Sequence, residues 1–206
     1  MAIPVTVFSD YICPFCYVGS RRLLNLADEF DLDILWANIE IHPETPTEGM
    51  PVEDLGYPPA QWQQMMDALA RMAEAEGLPI VERTFTTNSR RALLLAEAAK
   101  DAGTDVFACV HERLFRAYFG ERRNIGDPEV LWSIATECGL DDRRVESAWL
   151  SQEIADRLRQ YHEAAAQVGV SGTPTFVINN ERALVGAVET DELRRALAEV
   201  EDPSRG

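Results

Sequence analysis

The sequence is poor in positive charge. It contains 19 Lys and Arg residues against 35 Asp and Glu residues, and the formal net charge is -16 at pH 7. Nucleic acids and anionic membrane surfaces are bound by basic faces, so this balance argues against both as partners. The sequence also lacks an apolar run of the roughly 18–20 residues that cross a bilayer, and we therefore predict no transmembrane helix.

Cysteine is scarce as well. The chain has four cysteines in 206 residues, which is too few for a domain held together mainly by disulfides. The first residues, Met-Ala-Ile-Pro-Val-Thr-Val-Phe, lack the positive charge and the long apolar stretch of a secretory signal, so we expect a cytoplasmic protein. Cys109 and Cys138 stand alone on predicted helices, and we expect two buried free thiols rather than a disulfide.

Apolar residues make up 46% of the chain, enough for one domain with a substantial core. Their spacing predicts that the chain begins with a strand, a helix and a strand, over residues 3–8, 13–30 and 32–41. A loop rich in proline follows from His42 to Pro59. The chain is predicted to end with two strands, a helix and a frayed tail, over residues 175–178, 182–185, 190–200 and 202–206.

Residues 59–168 contain only predicted helices. Several helix starts are marked by residues that favour helix N-termini, among them Asn88-Ser89 and Asp127-Pro128, and several ends are marked by glycines. Because this block has no strands of its own, we interpret it as an insertion into one sheet. The predicted domains are a discontinuous α/β domain, residues 1–58 and 169–206, and a helical insertion domain, residues 59–168.

The strongest chemical signal is Cys13-Pro14-Phe15-Cys16, placed where the first predicted strand ends and a helix begins. The free amide groups at a helix N-terminus favour negative charge, so a thiolate at Cys13 is stabilised there. The thiolate is the attacking species in disulfide exchange. Cys16 lies one helical turn later, close enough to form a disulfide with Cys13 and act as the resolving thiol. This spacing beside a strand–helix–strand pattern indicates a redox site.

The same cysteine spacing also occurs in zinc sites and, by chance, in protein cores. A zinc site needs two more ligands. The histidines are scattered at positions 42, 111 and 162, and the sequence has no second paired cysteine motif. We therefore predict no metal and no organic cofactor.

Asp10 lies three residues before Cys13. It is a candidate for proton transfer, as the acceptor for the Cys16 proton. The alternative is a helix-capping or solvated carboxylate. His42 follows the second predicted strand, and we expect it on a loop surface.

The chain resembles DsbA-like thioredoxin-fold proteins in two segments. Asp10-Tyr11-Ile12-Cys13-Pro14-Phe15-Cys16 is similar to their active-site segment, and Gly172-Thr173-Pro174-Thr175-Phe176 is similar to their cis-proline loop. Arg123-Asn124-Ile125-Gly126-Asp127 resembles a helical segment of the FrnE-like branch. The resemblance covers residues 3–200, and it implies an α/β, thioredoxin-like fold (β-α-β … β-β-α) with a large all-helical insertion.

The resemblance also implies a function. We expect Cys13 and Cys16 to exchange disulfides with protein substrates, as an oxidoreductase or isomerase. The Thr173–Pro174 bond is expected to be cis and to lie against the cysteines, where Thr173 and Pro174 bind the substrate backbone. Pro14 and Phe15 are expected to contact the substrate as well.

Phe15 stands where DsbA has a histidine between its cysteines. Without that imidazole, we expect Cys13 to be less acidic and the disulfide to be less oxidising than in DsbA. In a reducing cytosol the dithiol form would dominate. This favours reductase or isomerase chemistry over net oxidation.

Two other functions are consistent with the sequence. Kappa-class glutathione transferases and 2-hydroxychromene-2-carboxylate isomerases form a related branch that resembles the chain around Asn88-Ser89-Arg90 and uses glutathione. A glutathione-dependent isomerase or transferase acting on a small molecule is therefore one alternative, with glutathione a candidate co-substrate. The other is a chaperone-like binder that exposes Trp62, Met65 and Met66, although such residues are more typical of a core. The sequence leaves the oligomeric state open, a homodimer included.

Overall fold

Within residues 2–201, which the computed structural model describes, four strands form the main sheet in the order β2-β1-β5-β6. These strands are β1 Ile3–Ser9, β2 Leu32–Asn38, β5 Thr175–Ile178 and β6 Arg182–Val185. β2 is parallel to β1, whereas β5 pairs antiparallel with both β1 and β6. Each strand lies where the sequence predicts one, and the expected α/β class is confirmed. The predicted frayed tail, residues 202–206, lies outside the described residues.

Helix α1, Pro14–Asn25, connects β1 to β2. The parallel pairing of these two strands requires such a crossover connection. Gly19 allows α1 to approach the sheet closely, because a Cβ at this position would lie 2.9 Å from side-chain atoms of both Pro174 and Phe176. Helix α8, Thr190–Glu201, ends the described chain.

Arg22 departs from the predicted pattern of α1. The apolar spacing puts Arg22 outside the buried stripe and Leu24 within it, but Arg22 is 2% exposed and Leu24 is 41% exposed. The Arg22 guanidinium donates to the Glu76 carboxylate at 2.9 Å and to the carbonyl oxygens of Ala187 and Val188 at 2.9 and 2.8 Å. These partners compensate the buried charge, and hydrophobic periodicity cannot reveal them.

In the described part of the chain, six α-helices lie between β2 and β5. They are α2 Pro59–Ala75, α3 Arg90–Ala102, α4 Thr104–Phe115, α5 Pro128–Glu137, α6 Asp142–Leu150 and α7 Gln152–Gln167. α3 is central, since it contacts α4, α5, α6 and α7. Asp127 caps α5 as predicted, and its carboxylate accepts from the N–H of Glu129 at 2.9 Å. None of the helices within residues 2–201 combines the length and apolar character needed to cross a bilayer.

A second, two-stranded sheet lies between β2 and α3, where the sequence predicts no strand. β3, Met50–Pro51, pairs antiparallel with β4, Phe85–Thr86. A short 3-10 turn, Val52–Leu55, follows β3. The expectation of only helices after residue 59 is therefore wrong at β4. Strands of two residues carry no periodicity, so no pattern in the sequence could indicate them.

Cys109 and Cys138 form a disulfide, so the expectation of two free thiols is wrong. Cys109 lies on α4 and Cys138 directly follows α5. Their Cα atoms are 5.5 Å apart, although the two residues are 29 positions apart in the chain. The packing of two helices decides this distance, and sequence separation does not contain it. Cys13 and Cys16 are free cysteines.

Candidate active site

Cys13 lies at the junction of β1 and α1, as predicted. It is the N-cap residue of α1, and Pro14 is the first helical residue, a position where a missing N–H leaves no helical bond unmade. The N–H of Cys13 donates to the carbonyl of Asp10 at 3.2 Å. Its side chain is buried, and Sγ donates to the carbonyl oxygen of Thr173 at 3.5 Å. The Cys13 thiol thus faces the loop that precedes β5.

The two thiols of the pair differ in acidity. Burial opposes ionisation of Cys13, but hydrogen bonds from the side chains of Cys16 and Thr173 and from the backbone of Cys16 outweigh it and lower the pKa of Cys13 below its usual value. Burial raises the pKa of Cys16 well above its usual value, and the hydrogen bond to Cys13 and the charge of Cys13 add to the rise. The N-terminus of α1 further favours the Cys13 thiolate. The pair can therefore hold a thiolate at Cys13 while Cys16 stays protonated.

The loop before β5 packs against Cys13 and α1. The Thr173–Pro174 peptide bond is cis, as the family resemblance implied. Pro174 is buried and lies beside Gly19 of α1. The contact between Cys13 and Thr173 joins residues 160 positions apart in the chain. The two segments that carry the resemblance therefore meet in the fold.

Asp10 is fully buried and does not cap α1, so both alternatives to a role in proton transfer are wrong. Its carboxylate accepts hydrogen bonds from the N–H of Ile12 at 3.3 Å, the N–H of Ile41 at 2.9 Å and the hydroxyl of Ser89 at 2.9 Å. Burial raises the pKa of Asp10 to about 6, and these hydrogen bonds moderate the rise. The backbone of Asp10 also hydrogen-bonds Cys16. A buried carboxyl group that titrates near neutral pH can take up and release a proton.

Ser89 is predicted to cap α3, but its hydroxyl hydrogen-bonds Asp10 instead. Its backbone is helical, and its side chain makes no capping bond. The hydroxyl donates to Asp10, which lies 79 positions earlier in the chain. Asn88 makes the local bond at this helix start, since its Oδ1 accepts from the N–H of Arg90 at 3.0 Å. Sequence reasoning missed Ser89 as a site residue because no local signal shows so distant a partner.

A cavity of about 490 Å³ lies beside Cys13, within the usual size of a small-molecule site. Much of its wall is apolar, with side chains from α1, α2 and the loops around them: Phe15, Ile41, Tyr57, Trp62, Met65 and Met66. The expected core position is wrong for Trp62 and Met65, which line the cavity and remain partly exposed. Met66 lines the cavity and also packs against the core. His42 lies on the same wall with 25% of its side chain exposed.

A buried histidine that sequence reasoning did not single out fixes Tyr11, next to the cysteine motif. The Tyr11 hydroxyl lies 2.9 Å from Nδ1 of His111, and the Ser20 hydroxyl lies 2.8 Å from its Nε2. Burial and the nearby Lys100 lower the pKa of His111 to about 3. His111 is therefore a neutral hydrogen-bonding group near pH 7. It ties α4 to the active-site segment.

Known proteins resemble the chain over nearly its whole length. The sequence profile of the DSBA-like thioredoxin domain family matches residues 4–198. The probable DsbA oxidoreductase SCO1869 from Streptomyces coelicolor is 28% identical, over 96% of this chain and 89% of that chain, with a TM-score of 0.85. A 2-hydroxychromene-2-carboxylate isomerase shares the fold at 21% identity, over 98% of each chain, with a TM-score of 0.80. The cytosolic disulfide reductase DsbM from Pseudomonas aeruginosa, in a structure with GSH, shares it at 21% identity, over 98% of this chain and 100% of that chain, with a TM-score of 0.69.

Proposed function

The chain belongs to the DSBA-like thioredoxin domain family, and from this membership we propose that it exchanges disulfides with protein substrates through Cys13 and Cys16. One observation carries the proposal. Two free thiols lie at the start of α1 with opposite pKa shifts, lowered for Cys13 and raised for Cys16, and both Cys13 and Thr173 line a cavity. This is the arrangement that an attacking thiolate and a resolving thiol need.

The reducing direction begins with the Cys13 thiolate, which attacks one sulfur of the substrate disulfide. A mixed disulfide forms, and the other substrate sulfur leaves as a thiolate that takes a proton. Cys16 then loses its proton and attacks the Cys13 sulfur, which forms the Cys13–Cys16 disulfide and releases the second substrate thiolate. The substrate gains two electrons and the dithiol loses two. The same steps in reverse oxidise a substrate dithiol.

Asp10 accepts the proton of Cys16 in this mechanism. Cys16 needs a base because its pKa lies well above the usual value, mainly through burial. Asp10 is near Cys16, and its pKa of about 6, raised mainly by burial, leaves it ionised at neutral pH but more basic than an exposed carboxylate. Ser89 holds the Asp10 carboxylate in place and is a positioning residue.

Thr173 and Pro174 position the substrate backbone. The Thr173 carbonyl accepts from the Cys13 thiol, and it becomes free to accept from a substrate N–H once Cys13 is ionised or bonded to sulfur. This is the pairing of an extended substrate with an exposed strand-like edge. Pro14 and Phe15 form the cavity wall next to Cys13.

The direction proposed is reduction or isomerisation in the cytoplasm. Phe15 replaces the imidazole that makes DsbA strongly oxidising, and a cytosolic disulfide reductase shares the fold. Glutathione is the proposed electron donor or co-substrate, and no metal or organic cofactor is needed. Residues 59–168 are proposed to form an insertion domain that selects clients, since Trp62 and Met65 on α2 line the cavity.

A trapping experiment with single cysteine variants tests the proposal. Cys16→Ser, incubated with a protein disulfide, should accumulate a mixed disulfide through Cys13, visible by intact mass and abolished by dithiothreitol. Cys13→Ser is the matched control, and it should trap nothing because the remaining thiol is buried and weakly acidic. If neither variant forms a mixed disulfide, the proposal is wrong.

A glutathione-dependent isomerase or transferase is the second candidate. The small-molecule size of the cavity and the shared fold with 2-hydroxychromene-2-carboxylate isomerase favour it. A Cys13→Ser, Cys16→Ser double variant separates the candidates. Undiminished conversion of a small electrophile with glutathione would support this second function, whereas loss of disulfide reduction, with no conversion of the electrophile by the wild type or the variant, would support disulfide exchange. Undiminished binding of unfolded clients by the same variant would indicate the chaperone-like alternative.

A further inference from the structure

Arg83 is a cation on the wall of the cavity that contains Cys13. Its guanidinium carbon lies 4.8 Å from the ring centre of Tyr118 and 4.6 Å from that of Phe119. Contact with two aromatic rings holds a guanidinium in place without using its in-plane N–H groups. Among residues 2–201, Arg83 has neither an ion-pair partner nor a side-chain hydrogen-bond partner. Its N–H groups are therefore available to a ligand.

The glutamate and the histidine on this wall, Glu40 and His42, already have partners. The Glu40 carboxylate lies 2.9 Å from the guanidinium of Arg90. The Nδ1 atom of His42 lies 3.1 Å from the Glu44 carboxylate. Among the described residues, Arg83 is therefore the unpaired cation on the wall of this cavity.

Arg83 also lines a second cavity, and the charges around that cavity indicate on which side of Arg83 an anion would bind. That cavity is also lined by Glu74 and Glu82, which repel an anion. The cavity beside Cys13 has mainly apolar walls, and its acid, Glu40, is paired. An anion that reaches Arg83 is therefore better accommodated on the side of Cys13.

We propose that Arg83 binds a carboxylate of the disulfide substrate and makes the site selective for disulfides with a carboxylate near the reacting sulfur. The inference rests on the proposed function, because Arg83 and Cys13 share one cavity. Guanidinium binds carboxylate through two parallel hydrogen bonds. With a net charge of -16, the protein repels acidic ligands unless a local cation compensates. Arg83 makes and breaks no covalent bond, and Cys13 and Cys16 perform the exchange described above.

Single-turnover reduction of matched disulfides by the reduced protein tests this. One pair is an aromatic disulfide with a carboxylate on each ring and its bis-carboxamide. The second pair is a short cysteine peptide disulfide with Glu or Gln beside the cysteine. Each rate is divided by the rate with free dithiothreitol, which removes the intrinsic reactivity of the disulfide. The wild type should prefer the acidic member of at least one pair by about tenfold, the size expected for one charge-assisted hydrogen bond.

Three variants test whether Arg83 causes the preference for the acidic disulfide. Arg83→Met should bring the ratio close to one while the rate with the neutral disulfide stays the same, which also shows that the variant is folded. Arg83→Lys should retain part of the preference, since it keeps the charge without the paired geometry. Arg71→Met removes one positive charge from an exposed position on α2 outside the cavity, and it should keep the full preference.

The two substrate pairs identify the source of the carboxylate. A preference confined to the aromatic pair indicates a low-molecular-weight substrate, and one confined to the peptide pair indicates an acidic segment of a protein. Equal normalised rates for acid and amide in both pairs, with the neutral disulfides still reduced, would overturn the role of Arg83 alone. Failure to reduce any of the four disulfides would overturn the proposed function as well.

Discussion

At the scale of single residues, Asp10 controls the second half of the proposed exchange. The rate at which Cys16 resolves a mixed disulfide on Cys13 should rise as pH passes through about 6, because the ionised carboxylate is the base. Asp10→Asn should remove this inflection and slow the step by about 100-fold. Release of a chromogenic thiol in a single turnover measures the rate.

Ser89→Ala is the matched control for Asp10. It keeps the carboxylate and removes a hydrogen bond that lowers the pKa of Asp10, so the inflection should move to higher pH. Asn88→Ala, which does not contact Asp10, should leave it in place. A pH profile unchanged by Asp10→Asn would exclude Asp10 as the base.

The burial of Asp10 also predicts how stability depends on pH. Folding raises the pKa of Asp10 from 3.8 to about 6, mainly through burial, so the native state keeps this proton where the unfolded state has lost it. The stabilising contribution is fully present below pH 3.8 and is lost as pH rises through about 6. Relative to the wild type, Asp10→Asn should therefore gain up to about 3 kcal/mol in free energy of unfolding across this range. Denaturant titrations on both sides of the range measure it, and a constant difference would contradict the raised pKa.

The sequence allowed the cysteine pair to be predicted but not the surroundings of Asp10. Cys13 and Cys16 are marked by their spacing at a strand–helix junction, which is a local feature. The surroundings of Asp10 depend on tertiary packing, which brings Ile41 and Ser89 into hydrogen-bond contact with its carboxylate. The sequence gives no indication of a role for Arg83 either, because that role depends on the aromatic rings and the cavity around it.

At the scale of elements, the Cys109–Cys138 disulfide joins α4 to the end of α5. A Cys109→Ser, Cys138→Ser double variant should lose about 3–4 kcal/mol of stability, because a cross-link over 29 positions restricts the unfolded chain. Thermal or denaturant unfolding measures the loss. The rate of disulfide exchange at Cys13 should not change.

A thiol titration of the unfolded, unreduced wild type checks the disulfide itself. Two thiols should react before reduction and four after it, since Cys13 and Cys16 are free. Four thiols before reduction would contradict the disulfide. Stable disulfides are rare in reducing compartments, so the same titration on protein taken directly from cells tests the proposed cytoplasmic location.

Elements with a clear apolar period were predictable, whereas very short elements were not. β1 shows alternating burial at Ile3, Val5 and Val7, and the sequence shows the same alternation. β3 and β4 have two residues each, too few for a period. The pairing of α4 with α5 that brings the two cysteines together is likewise absent from any local pattern.

At the scale of the whole molecule, Arg22 connects the sheet region to the helical segment. It links α1 to Glu76, next to α2, and to the carbonyls that precede α8. Arg22→Leu should lower the free energy of unfolding by about 3–5 kcal/mol, because it leaves buried polar partners unpaired. Denaturant unfolding measures the loss.

Arg21→Leu is the neighbouring control for Arg22. Arg21 pairs with Glu112, and the two side chains are 35% and 40% exposed. A surface pair of this kind contributes about 1 kcal/mol or less. Equal losses in the two variants would show that Arg22 does not hold the two regions together.

Composition and element order gave the outline of the whole molecule. The order of strands and helices predicted the α/β class, because the apolar periodicity of each long element can be read from the sequence. The division into a discontinuous domain and an insertion over residues 59–168 stays a prediction. The contact of Arg22 between regions could not be foreseen, since a charged residue beside an apolar stripe is typical of an exposed helix face.

The reduction potential of the Cys13–Cys16 pair tests the proposed chemistry most directly. The protein is equilibrated in glutathione buffers, its free thiols are alkylated, and the products are read by mass. We expect a reversible two-electron transition confined to these two cysteines. Its potential should be more negative than that of DsbA, which is about -120 mV. The absence of a transition, with Cys13 instead accumulating as a stable glutathione adduct, would contradict dithiol–disulfide exchange and favour the glutathione-dependent function.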